Sequence, residues 1–288
     1  MPYSLPPAAN LPADIPRLEI VPTSEVIVHE QHDDQRSGPL IERLIAEGVL
    51  KNPPIVTPMG DDDTRYVVLD GANRSTAFEQ MGYPHILAQV VDYENEEEVR
   101  LTTWHHVLAG MEAETFTGLL ATVEELEYRP TDLSRARAAL ARRELLAYIV
   151  GAGGMVFGVL GGHDLHSRCL LLNKMVNVYK DHGRIYRSAT DHVAQVRGLY
   201  DDLTALVVFP HHEPAEILEL ARVSARLPAG ITRHIIHRRA LRVNYPLAEL
   251  RADLSLEDKN ARLSDWIKGK LAAKEIRYYP EATYIFDE

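Results

Sequence analysis

Cysteine is nearly absent: Cys169 is the only one in 288 residues. A lone thiol forms no disulfide within the chain and supplies no Cys-based zinc site, which fits a cytoplasmic protein. Its neighbours Leu170-Leu171-Leu172 predict a buried thiol. No apolar run approaches the ~18 residues that a membrane span needs, and the first residues lack the basic, apolar, small-residue order of a signal peptide. No membrane partner is expected. Positive charge is also scarce: 31 Lys and Arg stand against 42 Asp and Glu, a net charge of −11. Phosphate backbones are held by clustered Lys and Arg, so nucleic acid is not an expected partner, although Arg233 to Arg242 forms a local basic run. Internal repeats and low-complexity segments are missing too. The length suits one large domain or two small ones.

The most informative stretch is Tyr66-Val67-Val68-Leu69-Asp70-Gly71-Ala72-Asn73-Arg74-Ser75. Tyr66 to Leu69 are strand formers. Gly71 permits a backbone angle that other residues resist. Ala77, Phe78 and Met81 then share one helical face, and Gly82 supplies a C-cap. A strand that turns at Asp-Gly into a helix aims free N–H groups and a positive dipole end at one spot, a ready phosphate site. Arg74 can add a fork of donors. Asp70 can hold a metal ion or a hydroxyl, or simply cap the helix.

Around this stretch the order is strand, helix, strand, strand, helix, strand within about ninety residues, a compact α+β unit. Short strands are expected over 18–28. A helix follows Pro39 with Leu40, Ile41, Leu44 and Ile45 on one face and Gly48 at its end. A hairpin runs Ile55 to Leu69 with its tip at Asp61-Asp62-Asp63, and a strand covers Ile86 to Val91. Residues 1–16 hold five prolines and read as an arm. The expected division is 1–16 arm, 17–110 first domain, and 111–288 a second, mixed α/β lobe. In that lobe Asp132 caps a helix carrying Leu133, Ala136, Leu140 and Leu145. Gly151, Gly153 and Gly154 turn a hairpin over 148–160, helices cover 165–179 and 214–225, and a strand covers 205–209.

Three further clusters can carry chemistry. His29-Glu30-Gln31-His32 places a carboxylate just past a strand. It suits a general base, a metal ligand or a surface loop, and its i, i+3 histidines do not match the i, i+4 zinc helix. Thr102-Thr103-Trp104 sets hydroxyls beside an indole, suited to a small polar ligand or a domain interface. Thr232-Arg233-His234 follows a Pro-Ala-Gly turn and can clamp a carboxylate or phosphate, or form an ordinary basic face.

Taken in order, these pieces resemble the ParB/sulfiredoxin-like superfamily, and within it the free L-serine kinase group. The residues that carry the resemblance are His29-Glu30, Asn52-Pro53-Pro54, Asp70-Gly71-Ala72-Asn73-Arg74, Thr103-Trp104, Gly230-Ile231-Thr232-Arg233-His234, and Arg277-Tyr278-Tyr279…Glu281…Phe286-Asp287-Glu288. The group's turn usually reads Asp-Gly-His-His-Arg; here Ala72 and Asn73 replace the two histidines. The sulfiredoxin cysteine is missing from this turn.

The resemblance implies phosphoryl transfer from ATP or ADP to free L-serine with Mg²⁺. By it, Glu30 is the base, and Asp70 orients the metal or the hydroxyl. Gly71, Ala72, Asn73, Arg74 and Ser75 cradle the phosphates, and Thr103, Trp104, Thr232, Arg233 and His234 hold the acceptor. The competing expectation is a ligand-responsive DNA-binding regulator of the same fold.

Overall fold

The computed structural model describes residues 15–31, 37–60 and 62–279. Most of the expected proline arm, His32 to Arg36, Asp61 and residues 280–288 lie outside them. The first unit runs β1 (Leu18–Pro22), β2 (Val26–Val28), α1 (Ser37–Glu47), β3 (Val49–Leu50), β4 (Ile55–Pro58), β5 (Tyr66–Asp70), α2 (Ala72–Gln80) and β6 (His85–Val90). Five of its strands form a sheet ordered β1-β6-β4-β5-β2. The pairs β2/β5 and β4/β6 are parallel and the others antiparallel. Alternation decides the sheet's two faces. Val56 and Val68 face one core, with Ile20, Phe78 and Leu87; Ile55, Val67 and Leu69 face another.

α2 ends as its sequence predicts. Gly82 takes φ +67°, its N–H donates to the Glu79 carbonyl, and Tyr83 N–H donates to that of Phe78. α1 departs from expectation at one residue. Leu44 is buried and Leu40 and Ile41 pack on the core, but Ile45 is 67% exposed because the contact stripe is narrower than the apolar one.

The chain continues through β7 (Val99–Thr103), β8 (His105–Ala109), α3 (Ala113–Ala121), β9 (Glu127–Thr131), α4 (Leu133–Ala141), β10 (Ala147–Gly151), β11 (Val156–Leu160), α5 (Leu165–Tyr179), β12 (Arg184–Ser188), α6 (Val193–Arg197), β13 (Leu203–Val208), α7 (Pro214–Arg222), β14 (Thr232–Ile236), β15 (Tyr245–Pro246), α8 (Leu247–Arg251) and α9 (Leu256–Ala272). An antiparallel six-stranded sheet is ordered β12-β8-β13-β10-β11-β9. The β10–β11 hairpin turns at the glycine cluster, where Gly151 N–H donates to Met155 and Gly154 takes φ +86°. Asp132 caps α4 by accepting from the Arg135 N–H, and Asp164 and Ser167 close a capping box on α5. Leu145, expected on the α4 face, lies beyond the helix end and is buried there.

Two short ribbons tie the sheets together: β7 with β14, and β3 with β15. β8 lies inside the second sheet, while Tyr245, Leu250, Leu263 and Ile267 join the core of the first. The division into two sheets therefore does not coincide with a single cut of the chain near residue 110. The fold is a mixed α+β architecture. Among the described residues no helix is long and apolar enough to cross a membrane.

One buried charge fastens the C-terminal helix. Lys259 is 1% exposed and donates to the Leu250 carbonyl (2.7 Å), with His85 Nδ1 at 3.0 Å. Burial pushes its pKa down.

Candidate active site

The parallel pairing of β2 and β5 sets Val28 against Val68. Two residues further along each strand stand Glu30 and Asp70. Strand register thus brings the segments that carry the two carboxylates, forty residues apart, to the same sheet edge, at the C-terminal ends of neighbouring parallel strands, where open α/β sheets commonly hold ligands. α2 begins at the same edge.

Glu30 lies in a cradle made by the turn before β14. Its Oε2 accepts from Gly230 N–H (2.8 Å), and its Oε1 accepts from Ile231 N–H (3.2 Å), Thr232 N–H (2.7 Å) and the Thr232 hydroxyl (2.5 Å). Successive backbone N–H groups aimed at one point form an anion-binding nest, opened here by Gly230 at φ +72°. The next chain segment is locked as well: Leu227 N–H donates to His29, and Gln31 N–H donates back to Leu227.

His29 is buried beneath this cradle. Nδ1 lies 2.6 Å from the Val68 carbonyl and Nε2 lies 2.9 Å from Thr232 Oγ. A carbonyl only accepts, so Nδ1 carries hydrogen. Burial holds the His29 pKa below its ordinary value, against the opposing charge of Glu30. The neutral ring thus offers Nε2 as an acceptor, and the single Thr232 hydroxyl hydrogen faces both His29 and Glu30. His234, two residues on and on the same strand face, meets the Tyr93 hydroxyl at 2.7 Å and stands edge-on to His29 at 5.3 Å. Burial pushes its pKa well down, and His29 adds to the shift.

Asp70 does not cap α2. Gly71 is the N-cap residue, at φ +94° and without a side-chain bond. A Cβ there would come within 3.0 Å of Pro54 Cα and Cβ, so both conformation and space require glycine. Asp70 Oδ2 instead accepts from Arg239 (2.5 Å) and, more distantly, from Arg74 (3.5 Å). Arg74 is turned back onto the chain: its Nη1 donates to the carbonyls of Asn52 (2.5 Å) and Pro53 (3.2 Å). It braces the turn rather than offering an open fork. Arg74 and Ser75 N–H both donate to the Gly71 carbonyl. The N–H groups of Ala72 and Asn73 precede the first helical bonds, and nothing in the described chain caps them. Of the residues expected to cradle phosphate, Ala72 and Asn73 thus present N–H groups that precede the helical bonds, while the Arg74 guanidinium is directed at the chain's own carbonyls.

Strand alternation splits the expected acceptor residues. Thr232 and His234 face the His29–Glu30 side. Arg233 lies on the other face, with its guanidinium 4.3 Å from the Trp104 ring centroid. There it lines a cavity of about 440 Å³ with Arg100, Thr102, Thr103, His105 and Asp191. Thr103 Oγ meets the Pro210 carbonyl at 3.4 Å, and Trp104 N–H donates to Ile231.

In the sequence His29 stands out only as part of the His-Glu loop, and Tyr93 and Arg239 do not stand out as site residues. His29 adjoins the chosen carboxylate, and its alternation with Ile27 on β2 was a usable signal. Arg239 lay within a run read only as basic surface; its pairing across 169 residues leaves no local trace.

Behind the cradle, His106 bonds Tyr179 Oη (2.9 Å) and lies 3.3 Å from the Ala229 carbonyl. Burial pushes its pKa down to about 4 from 6.5. An unfolded chain takes up a proton near pH 6.5 that the fold refuses until about 4, so stability is complete above that window and falls as pH drops through it. The expected loss is about 3 kcal/mol from this residue. Urea midpoints at pH 7 and 4.5 measure it, and the difference between the two pH values shrinks in His106→Gln. An equal difference in both proteins would exclude His106 as the source.

The architecture is that of known kinases of a free amino acid. Solved structures sharing it include "Free serine kinase in complex with AMP", with a TM-score of 0.70, 17% identity, and coverage of 84% of this chain and 96% of that one. Another is SbnI with C-terminal truncation from Staphylococcus aureus, with a TM-score of 0.70, 22% identity, and coverage of 90% and 97%. In sequence the chain is 26% identical over 278 residues to the ATP-dependent L-serine kinase SbnI of Staphylococcus aureus, spanning 94% of this chain and 97% of the relative. It is 25% identical over 239 residues to the ATP-dependent L-serine kinase of Staphylothermus marinus, spanning 81% and 90%. No family model matches the chain.

Proposed function

We propose that the protein is a kinase that transfers the γ-phosphoryl group of ATP to the hydroxyl of free L-serine, giving ADP and O-phospho-L-serine. The observation that carries this reading is the placement of Glu30 and Asp70 at adjacent strand ends beside the uncapped start of α2, in a chain similar along most of its length to L-serine kinases. The first sheet with α1 and α2 is the part we read as ParB/sulfiredoxin-like.

A serine hydroxyl is almost wholly protonated at pH 7, so its attack on phosphorus needs a positioned base. Glu30 takes that proton as the serine oxygen bonds to the γ-phosphorus and the bond to the ADP oxygen breaks. The cradle fixes the carboxylate in place before substrate arrives, which limits the entropy lost on the way to the transition state. The N–H groups of Ala72 and Asn73, at the positive end of α2, receive phosphate oxygens. Arg74 and Arg239 hold Asp70 and the turn in register.

Among the described residues no cluster of three or more His, Cys, Asp or Glu forms a metal cage. Mg²⁺ in phosphoryl-transfer sites is held by one or two carboxylates together with the substrate's own phosphates. Asp70 fits that pattern: Oδ2 is taken by arginine, and among the described residues no hydrogen bond ties Oδ1. The ion, when bound, neutralises charge on the transferring phosphate.

Purified protein incubated with Mg²⁺, ATP and L-serine should give O-phospho-L-serine by mass spectrometry. Absence of product with ATP and with ADP, across L-serine, L-threonine and homoserine, would overturn the reading.

A further inference from the structure

The acceptor is a zwitterion, and its carboxylate needs a cation close to Glu30. Arg233 lies on the opposite face of β14, against Trp104. Arg239 pairs with Asp70, and Arg74 is directed at the carbonyls of Asn52 and Pro53. Among the described residues, Arg187 brings a guanidinium to the cradle. Arg187 sits on β12, the edge strand of the second sheet, opposite His106. Its side chain reaches over the 229–230 turn and fills the space that a Gly230 Cβ would occupy. Gly230 is the residue whose N–H donates to Glu30 Oε2. Arg187 is exposed, and among the described residues it makes no hydrogen bond or ion pair. Its strand neighbour Arg184, by contrast, pairs with Asp202, and Arg137 pairs with Asp191.

We propose that Arg187 binds the carboxylate of the acceptor amino acid beside Glu30, a role that rests on the kinase reading. A guanidinium holds a carboxylate through two parallel N–H bonds, which fixes orientation as well as affinity. With the carboxylate on Arg187 and the base below Gly230, the acceptor is held from the second sheet while the nucleotide is held from the first. The glycine at 230 then serves twice: its left-handed backbone opens the cradle, and its missing side chain lets the guanidinium approach.

The test compares L-serine with L-serine methyl ester, which keeps the hydroxyl and amine but lacks the negative charge. The wild type should strongly prefer L-serine. Arg187→Ala should raise the serine KM about 10- to 100-fold, the range for losing a charge-assisted pair, with the ATP KM unchanged. The same variant should use the ester about as well as serine, and Arg187→Lys should regain part of the preference. A merely structural role would not move the serine-to-ester ratio. An unchanged serine KM, or an undiminished preference for serine in Arg187→Ala, overturns the proposal and leaves the kinase reading standing. Failure of the wild type to phosphorylate serine at all overturns both.

Discussion

Glu30→Gln lowers kcat for phosphoryl transfer by about 10²- to 10⁴-fold, the span that positioned proton transfer contributes, while ATP still binds. The structure adds a second consequence. Both oxygens of Glu30 accept backbone N–H groups, Oε2 from Gly230 and Oε1 from Ile231 and Thr232. A glutamine must aim its NH₂ at one of these sets, donor against donor. The substitution therefore also loosens the 230–232 turn, at a cost of about 1–3 kcal/mol for each buried N–H left without an acceptor. Single-turnover kinetics with saturating ATP, together with a thermal melt, separates the two effects. Wild-type turnover in this variant would remove Glu30 from the base role. A wild-type melting temperature would instead mean that the cradle does not hold the turn.

Asp70→Ala carries the second large effect, a fall of about 10²-fold in kcat/KM, comparable to losing one preorganised electrostatic group from an active site. Two arginines meet Asp70 Oδ2. Without the carboxylate, Arg239 loses the ion pair to Oδ2, while Arg74 still donates to the carbonyls of Asn52 and Pro53. Asp70→Asn separates the roles: its amide oxygen can still accept from Arg239, but it is a poor Mg²⁺ ligand. The Mg²⁺ concentration for half-maximal rate should rise in both variants, and the ATP KM should rise more in Asp70→Ala. An unchanged Mg²⁺ dependence in Asp70→Asn would leave Asp70 as a brace for the turn alone.

Local chemistry made much of this legible in the sequence. Gly71, Gly82, Asp132 and the glycine cluster at 151–154 each perform the turn or cap that their residue type demands, because such needs are set within a few residues. Leu165–Tyr179 forms the helix its pattern predicts. What escaped depends on pairing between distant segments. That the segments carrying Glu30 and Asp70 end at one edge of the sheet follows from strand register, which no spacing encodes. That Arg233 turns away from Thr232 and His234 follows from the two-residue period of a strand, which shows its consequence only when both faces are occupied. The placement of β8 in the second sheet and of α9 on the first arises the same way, since the core that a strand or helix joins is decided by its partners. Arg187 carried no local signal: it is one arginine on an edge strand, made significant by a glycine 43 positions away in the chain.

The central claim is phosphoryl transfer to an amino-acid hydroxyl at the site shared by Glu30 and Asp70. The most direct measurement is a ³¹P NMR time course with the wild-type protein, Mg²⁺, ATP and L-serine, repeated with Glu30→Gln. The account predicts that the γ-phosphate signal of ATP is lost one-for-one to a phosphomonoester signal in the wild type, and that this exchange nearly stops in the variant. Accumulation of inorganic phosphate in place of the phosphomonoester, an unchanging ATP spectrum, or equal rates in the two proteins would contradict it.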